Sequence, residues 1–375
     1  MTSPAKAVTP IEDLVKTAIK EAIAKRTGLE EATKASEELT PADVVAATEV
    51  AVSSASIVCE SGQMLMSALF DGVLTVTKNK DFPVTVFGET HFHESMREFI
   101  PAVDPTYELQ KEHVYNILKA WESKEKILVY GPTGAGKSSL IQQLCAHTRR
   151  PFIRVNSTGD MDSSMIFGNQ VARDGATHWV DGVVTECVRH GGVFAWDEWD
   201  VTPPEIGMGL QWLLEDKGKL FLKEMPGTNK EKFITPHTDF RIVALGNTRG
   251  QGDDTGAHAG TNVQNTATLD RFTTVLCVDY LEESVEVRML TKQFPSMVKD
   301  ALHRLVQFAT LVRQAYLTNT LALTLSPRAL LSICKKITSG YTAIEALQLV
   351  YYNKLPDTHE KVAKELFRKV FGSTK

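Results

Sequence analysis

Gly131-Pro-Thr-Gly-Ala-Gly-Lys-Ser138 follows the apolar run Ile127-Leu-Val-Tyr130 and precedes the helix-prone Leu140-Ile-Gln-Gln-Leu-Cys-Ala146. It satisfies G-x-x-x-x-G-K-[ST] without a mismatch, in the strand-then-helix setting that the pattern requires. Glycines let the backbone turn so that successive N–H groups face inward, and the positive end of the following helix adds to an anion site suited to polyphosphate. In such a loop Lys137 sits on the β- and γ-phosphates and Ser138 ligates magnesium, with Gly131, Pro132, Thr133, Gly134, Ala135, Gly136 and Ser139 completing the cradle. The expected ligands are therefore ATP and Mg2+.

Gly192-Val-Phe-Ala-Trp-Asp-Glu198 is an apolar run that ends in two carboxylates, a Walker B pattern. A strand ending at the lip of the sheet brings Asp197 within reach of the metal held by Ser138, while Glu198 orients and polarises the attacking water. A third apolar run, Phe240-Arg-Ile-Val-Ala-Leu245, ends in Gly246-Asn-Thr248. Asn247 is thus a neutral amide at a strand tip, able to hold that water beside the γ-phosphate or, more simply, to cap a turn. Phosphoryl transfer also needs cationic charge as the bond breaks, and guanidinium groups suit it. Arg271 in Leu269-Asp-Arg-Phe272 and Arg328 in Ser326-Pro-Arg-Ala329, at a capped and proline-initiated helix start, are the candidates; Arg249 is a looser third.

Elements must position these groups. At the N-terminus, Thr9 and Pro10 start one amphipathic helix bearing Ile11, Leu14, Val15, Ala18 and Ile19, and Thr40-Pro41 starts a second. The first stripe needs a partner: the second helix, the main domain or another subunit. Met64 to Phe70 reads as helix, Gly72 to Thr77 and Val84 to Phe87 as strands, and Asp104-Pro105 as the start of the helix leading into the P-loop strand. His91 and His93 form an H-x-H with no third or fourth ligand at a recognisable spacing, which favours loop histidines over a metal site. Asp174-Gly175 between two short apolar runs is a strong hairpin signal, and Pro226-Gly227 marks a second hairpin. After Tyr280, helical periodicity recurs through Glu282–Leu290, Met297–Tyr316, Pro327–Lys336, Tyr341–Tyr351 and from Asp357 onward.

Composition agrees with a soluble, cytoplasmic enzyme of two or three domains. The formal net charge of −5 gives no basic excess, so bulk affinity for nucleic acid is not favoured. The five cysteines are scattered and odd in number, which points to reduced thiols. No run approaches the length needed to cross a bilayer, and no membrane association is expected.

Taken together, the P-loop, Asp197-Glu198, Asn247, Leu269-Asp-Arg-Phe272 and Ser326-Pro-Arg328 resemble the AAA+ ATPases in their MoxR and chelatase branch. Asp104-Pro-Thr-Tyr107, Phe152-Ile-Arg-Val-Asn156, Asp197-Glu-Trp-Asp200 and Gly246-Asn-Thr-Arg-Gly-Gln-Gly-Asp-Asp-Thr-Gly256, with His258-Ala-Gly-Thr261, are similar to the ATPase subunit of aerobic cobaltochelatases. The likeness runs over roughly residues 84 to 350 and is weak or absent in the first 80.

That resemblance implies a three-layer α/β/α P-loop core over residues 81–280 and a small all-α lid over 281–375; the mostly helical N-terminal region over 1–80, read from its own caps and apolar spacing, is the candidate surface for partner or oligomer contact. It implies ATP hydrolysis in a homo-oligomeric ring, a hexamer by family expectation, that remodels a partner protein complex. Arg271 would be the finger that reaches the neighbouring subunit's nucleotide, Asn247 sensor 1 and Arg328 sensor 2; Trp179 and Arg173 on the first hairpin would face a client in the pore. The implied partner bears a metal-binding, integrin-like domain. This chain itself has no tetrapyrrole- or cobalt-binding constellation, so chelation would happen on the partner. A nucleic-acid-directed AAA+ ATPase and a MoxR-type chaperone for another client stay open as alternatives.

Overall fold

The computed structural model describes residues 61–250 and 264–372. The expected helices after Thr9 and Thr40, and positions 251–261 of the glycine-rich stretch, lie outside them.

The described chain begins with a small antiparallel pair, β1 (Gly62–Leu65) on β2 (Pro83–Val86). Met66 and Phe70 between them are fully buried in the apolar cluster that also holds Ile127 and Val129. Residues 61–80, expected with the N-terminal region, thus pack on the P-loop core. The strand expected over Gly72 to Thr77 is not formed: Val73 and Leu74 N–H groups donate back to the Phe70 carbonyl instead. Leu74 and Val76 still meet the core, so the apolar alternation there is satisfied by packing without a ladder partner.

The central sheet has three inner strands that are apolar on both faces, as strands covered by helices on two sides must be, and two edge strands that are half exposed. Its strands are β3 (Ile127–Tyr130), β4 (Phe152–Asn156), β7 (Gly192–Asp197), β10 (Phe240–Gly246) and β11 (Thr274–Cys277). All pair in parallel, in the order β11-β3-β10-β7-β4. Successive side chains point to opposite faces. Ile127, Val129, Val193, Ala195, Val243 and Leu245 lie with the buried residues of α1 (Lys111–Glu122) and α2 (Lys137–Thr148). Leu128, Phe194, Trp196, Ile242 and Ala244 lie with those of α3 (Val183–His190) and α4 (Pro204–Gln211). The fold is a three-layer α/β/α P-loop domain.

Register then sets the site. Tyr130 pairs with Gly246, and Leu245 and Asn156 both pair with Asp197. Four strands therefore end within a residue of one another, and Gly131, Asn247 and Glu198 leave the sheet side by side along its carboxyl edge, where ligands of parallel sheets bind.

Both expected hairpins form, β5 (Gly168–Arg173) with β6 (Ala176–Asp181) and β8 (Leu220–Phe221) with β9 (Phe233–Ile234). Asp174 and Gly175 have φ of 53° and 75°, the paired positive values that a tight two-residue hairpin demands. Beyond β11 come α5 (Glu283–Gln293), α6 (Lys299–Leu317), α7 (Pro327–Thr338), α8 (Ala343–Val350) and α9 (Asp357–Phe371). They bury a core of their own around Leu290, Leu305, Phe308, Leu330, Leu347 and Phe367. Among the described residues no helix is long and apolar enough to cross a membrane.

Candidate active site

The P-loop turns into α2 through Gly136, which caps the helix in the left-handed region at φ 92° with no side chain on the first amides. A residue with a side chain would strain this turn, and the uncapped amides are the donors an anion would use. Lys137, only 7 % exposed, curls its ammonium group over the loop and donates to the carbonyls of Gly131 (2.8 Å) and Pro132 (3.1 Å). It also donates to Asn247 Oδ1 at 3.0 Å, and Asn247 Nδ2 donates to Glu198 Oε2 at 2.7 Å. The amide thus bridges the P-loop cation and the strand-tip carboxylate. Beside this bridge Ser138 Oγ donates to Asp197 Oδ2 at 2.9 Å.

Burial sets the charges of this cluster. It pushes the Lys137 ammonium below its ordinary value, with Glu198, Asp197 and Asp200 pulling it back up. It raises the Glu198 carboxyl, against the hydrogen bond from Asn247, and the Asp200 and Asp197 carboxylates add to the rise. Glu198 also holds a left-handed backbone, φ 51°, although it is not a glycine. Its own N–H donates to Asp197 Oδ1 at 3.0 Å, and the following Trp199 is fully buried. Strain of this kind persists only where surrounding packing imposes it, and it clusters at functional sites.

A cavity of about 330 Å³ adjoins the loop, lined from the core by Tyr107, Gly134, Gly136, Ser139 and Val278 and from the helical bundle by Met289, Pro327, Arg328 and Leu331. Ser326 Oγ caps α7 by accepting from Ala329 N–H (3.3 Å), and that helix start lies directly against the P-loop: a Cβ on Gly134 would fall 2.7 Å from Ser326 Cβ. Apolar walls, one guanidinium and free helix-start amides fit a nucleotide, and the adjacent Ser138–Asp197 pair presents hard oxygen donors that suit Mg2+.

Lys137, Ser138, Asp197, Glu198 and Asn247 are thus drawn into one bonded cluster, with Arg328 across the cavity. Arg271 does not join it. Its guanidinium donates to Glu215 Oε1 (2.5 Å) and to the Ala267 carbonyl, on the chain's own surface. Arg249 stacks on Tyr130 at the end of β3, 4.8 Å from the ring centre. On the first hairpin Arg173 is exposed, whereas Trp179 packs against the core and donates Nε1 to Asp181 Oδ1, so this indole braces the hairpin. His91 pairs with Asp239 at 2.9 Å and His93 stacks on His190, ring centres 4.3 Å apart.

Two contributors had no role in the sequence reading. Arg154 on β4 donates Nε to Asp197 Oδ2 at 2.6 Å, on the same oxygen as Ser138. An arginine interrupting Phe-Ile-Arg-Val was the available signal, but only the β4–β7 register shows where it points. Asp200, fully buried, accepts from the Thr248 N–H (3.2 Å) and Oγ1 (2.8 Å), so it fixes the turn that presents Asn247.

Residues 126–272 match the AAA domain of the dynein-related subfamily. The aerobic cobaltochelatase subunit CobS of a Sinorhizobium species is 28% identical over 282 residues, covering 73% of this chain and 83% of that protein. Midasin of Dictyostelium discoideum is 30% identical over 178 residues, 47% of this chain but 3% of midasin. An uncharacterized Staphylococcus aureus protein, strain USA300, is 25% identical over 267 residues, 68% of this chain and 95% of that one. With the P-loop, the acidic strand tip and the amide in one cluster, these matches mark residues 126–272 as an AAA domain and show that the chain is similar to CobS.

Proposed function

We propose that this AAA+ ATPase binds ATP and Mg2+ at the carboxyl edge of its sheet, hydrolyses ATP in an oligomeric ring, and uses the cycle to remodel a partner protein complex, as the ATPase subunit of a metal chelatase would. The observation that carries the reading is the Lys137–Asn247–Glu198 bridge beside Ser138–Asp197. Bound Mg2+ would supply divalent charge that offsets the phosphate charge developing in the reaction. Asp197 and Ser138 would hold it, and Lys137, now on the loop carbonyls, would turn its ammonium group to the phosphates. Glu198 accepts the proton of the attacking water, and its raised carboxyl makes it a stronger base for that task. Asn247 orients that water and Glu198 together.

Arg328 contributes charge from the helical bundle, so that loss of the γ-phosphate alters the hold of α7 on the P-loop. Arg271 serves a neighbouring subunit's site in trans, which supports the ring. Its position on the chain's own surface, 29% exposed at the side chain and held by Glu215, is what a donor to another subunit needs. The relation to CobS supports a partner of the chelatase kind, one with an integrin-like metal-binding domain. Affinity capture on ATP-loaded Glu198→Gln, against Lys137→Ala, tests the client: a chelatase-type partner retained only by Glu198→Gln is expected. Retention of nucleic acid instead would overturn the client assignment.

A further inference from the structure

Among the described residues Arg328 is the cation that the helical bundle brings to the cavity, and an arginine of that bundle which does not line the cavity holds its helix in place. Arg313 on α6 is 8 % exposed, and each of its three guanidinium nitrogens donates a hydrogen bond. Nη1 and Nη2 donate to the two carboxylate oxygens of Glu286 on α5, both at 2.8 Å. Nε donates to the Leu325 carbonyl at 2.9 Å, and the guanidinium lies 4.4 Å above the Tyr280 ring centre. Two of these contacts lead back to the P-loop and the third to the core beside it. Leu325 immediately precedes Ser326 and Pro327, the helix start that lies against Gly134 and presents Arg328. Tyr280 donates its hydroxyl to the Thr133 carbonyl of the P-loop at 3.1 Å. Glu286 belongs to the helix whose Arg288 (3.0 Å) and Lys292 (2.7 Å) grip Glu108 of the core.

Resting on the reading of Arg328 as a nucleotide contact, we propose that Arg313 is a positioning residue for ATP hydrolysis: it registers the start of α7, and with it Arg328, against the P-loop. Glu286 is fully buried, and a buried ion pair of this kind is a poor source of net stability, because desolvation consumes most of its attraction. What the pair does supply is direction. A planar fork satisfied at both carboxylate oxygens, with its third donor on the Leu325 carbonyl and its face on Tyr280, leaves the helix start one position. A lysine ammonium keeps the charge opposite Glu286 but cannot match that geometry.

The test is a double-mutant cycle on ATP turnover with melting temperature recorded for every protein. Arg328→Ala alone lowers turnover. Arg313→Lys alone lowers it about tenfold, as loss of one well-placed charged contact would. Combining them gives no further loss than Arg328→Ala alone, while the fall in melting temperature caused by Arg313→Lys is the same in both backgrounds. Tyr280→Leu removes the ring beneath Arg313 but leaves the Arg313–Glu286 pair, and it should show the same dependence on Arg328 if Arg313→Lys does not fold. Losses that multiply in the double variants, or normal turnover in both Arg313→Lys and Tyr280→Leu, overturn the positioning role while leaving Arg328 in the site. Normal turnover in Arg328→Ala overturns both.

Discussion

The two ends of β7 and β10 both carry charged residues, under opposite conditions. At the carboxyl ends, Asp197 and Asp200 are buried beside Lys137, and Glu198 is held in a left-handed backbone with its carboxyl raised by burial. At the amino ends, His237 and Asp239 precede β10 and His190 precedes β7, half-exposed, with His91 and His93 packed on them. The lower end sets its histidines against Asp239 or against each other near the surface, where such contacts are worth little. The upper end keeps like charges together in a space that disfavours them. What distinguishes the candidate site is therefore charge that the fold holds against its own stability, and not charge as such.

That contrast can be broken by mutation. Glu198→Gln should lower turnover about 10²- to 10⁴-fold, the usual contribution of a general base, with ATP binding retained in a nucleotide titration. Lys137→Ala should weaken ATP binding about 10²-fold by the same titration, because a buried charged donor to phosphate is lost.

The pH profile sharpens the comparison. Glu198 must be deprotonated to act, so turnover should fall on acidification with a midpoint above the ordinary carboxyl value of 4.5. A raised carboxyl value means that the folded protein binds this proton more tightly than the unfolded chain. Stability is then lost as pH rises from 4.5 to the folded value and stays lost at neutrality. Glu198→Gln should accordingly melt higher than wild type at pH 7, an advantage that vanishes below 4.5. A lower melting temperature at neutral pH would show that the site is not strained.

The smallest effect belongs to the opposite edge. Burial depresses His237, so the fold loses stability as pH falls below 6.5 and the unfolded chain takes up the proton first. His237→Gln should flatten that loss in acid melts and leave ATP turnover within about twofold of wild type, as a substitution far from the reacting groups does.

Much of the upper edge was legible because its elements are short and self-contained. Gly131 to Ser138 fixes a loop by local chemistry alone, and Asp197 and Asn247 end apolar runs whose parallel pairing makes their tips level. The helices after Tyr280 were legible by period for the same reason. Arg154 and Asp200 gained their partners from strand register and from a turn, which no single stretch encodes. Arg313 and Glu286 lie 27 residues apart on separate helices, each reading alone as a charge on a solvated face, although both are buried. The Gly72–Thr77 run misled in the other direction. Its alternation is genuine, but a strand also needs a neighbour with free backbone groups, and here the chain turns back on Phe70.

An ATPase site completed by Arg271 of an adjacent subunit is a composite one, and mixing two inactive proteins tests for it. Glu198→Gln has an intact arginine and Arg271→Ala an intact base. Neither alone should turn over ATP appreciably, yet random co-assembly at equal amounts should restore about a quarter of wild-type activity, from sites that draw base and arginine from different subunits. A mixture as inactive as its components would contradict the account.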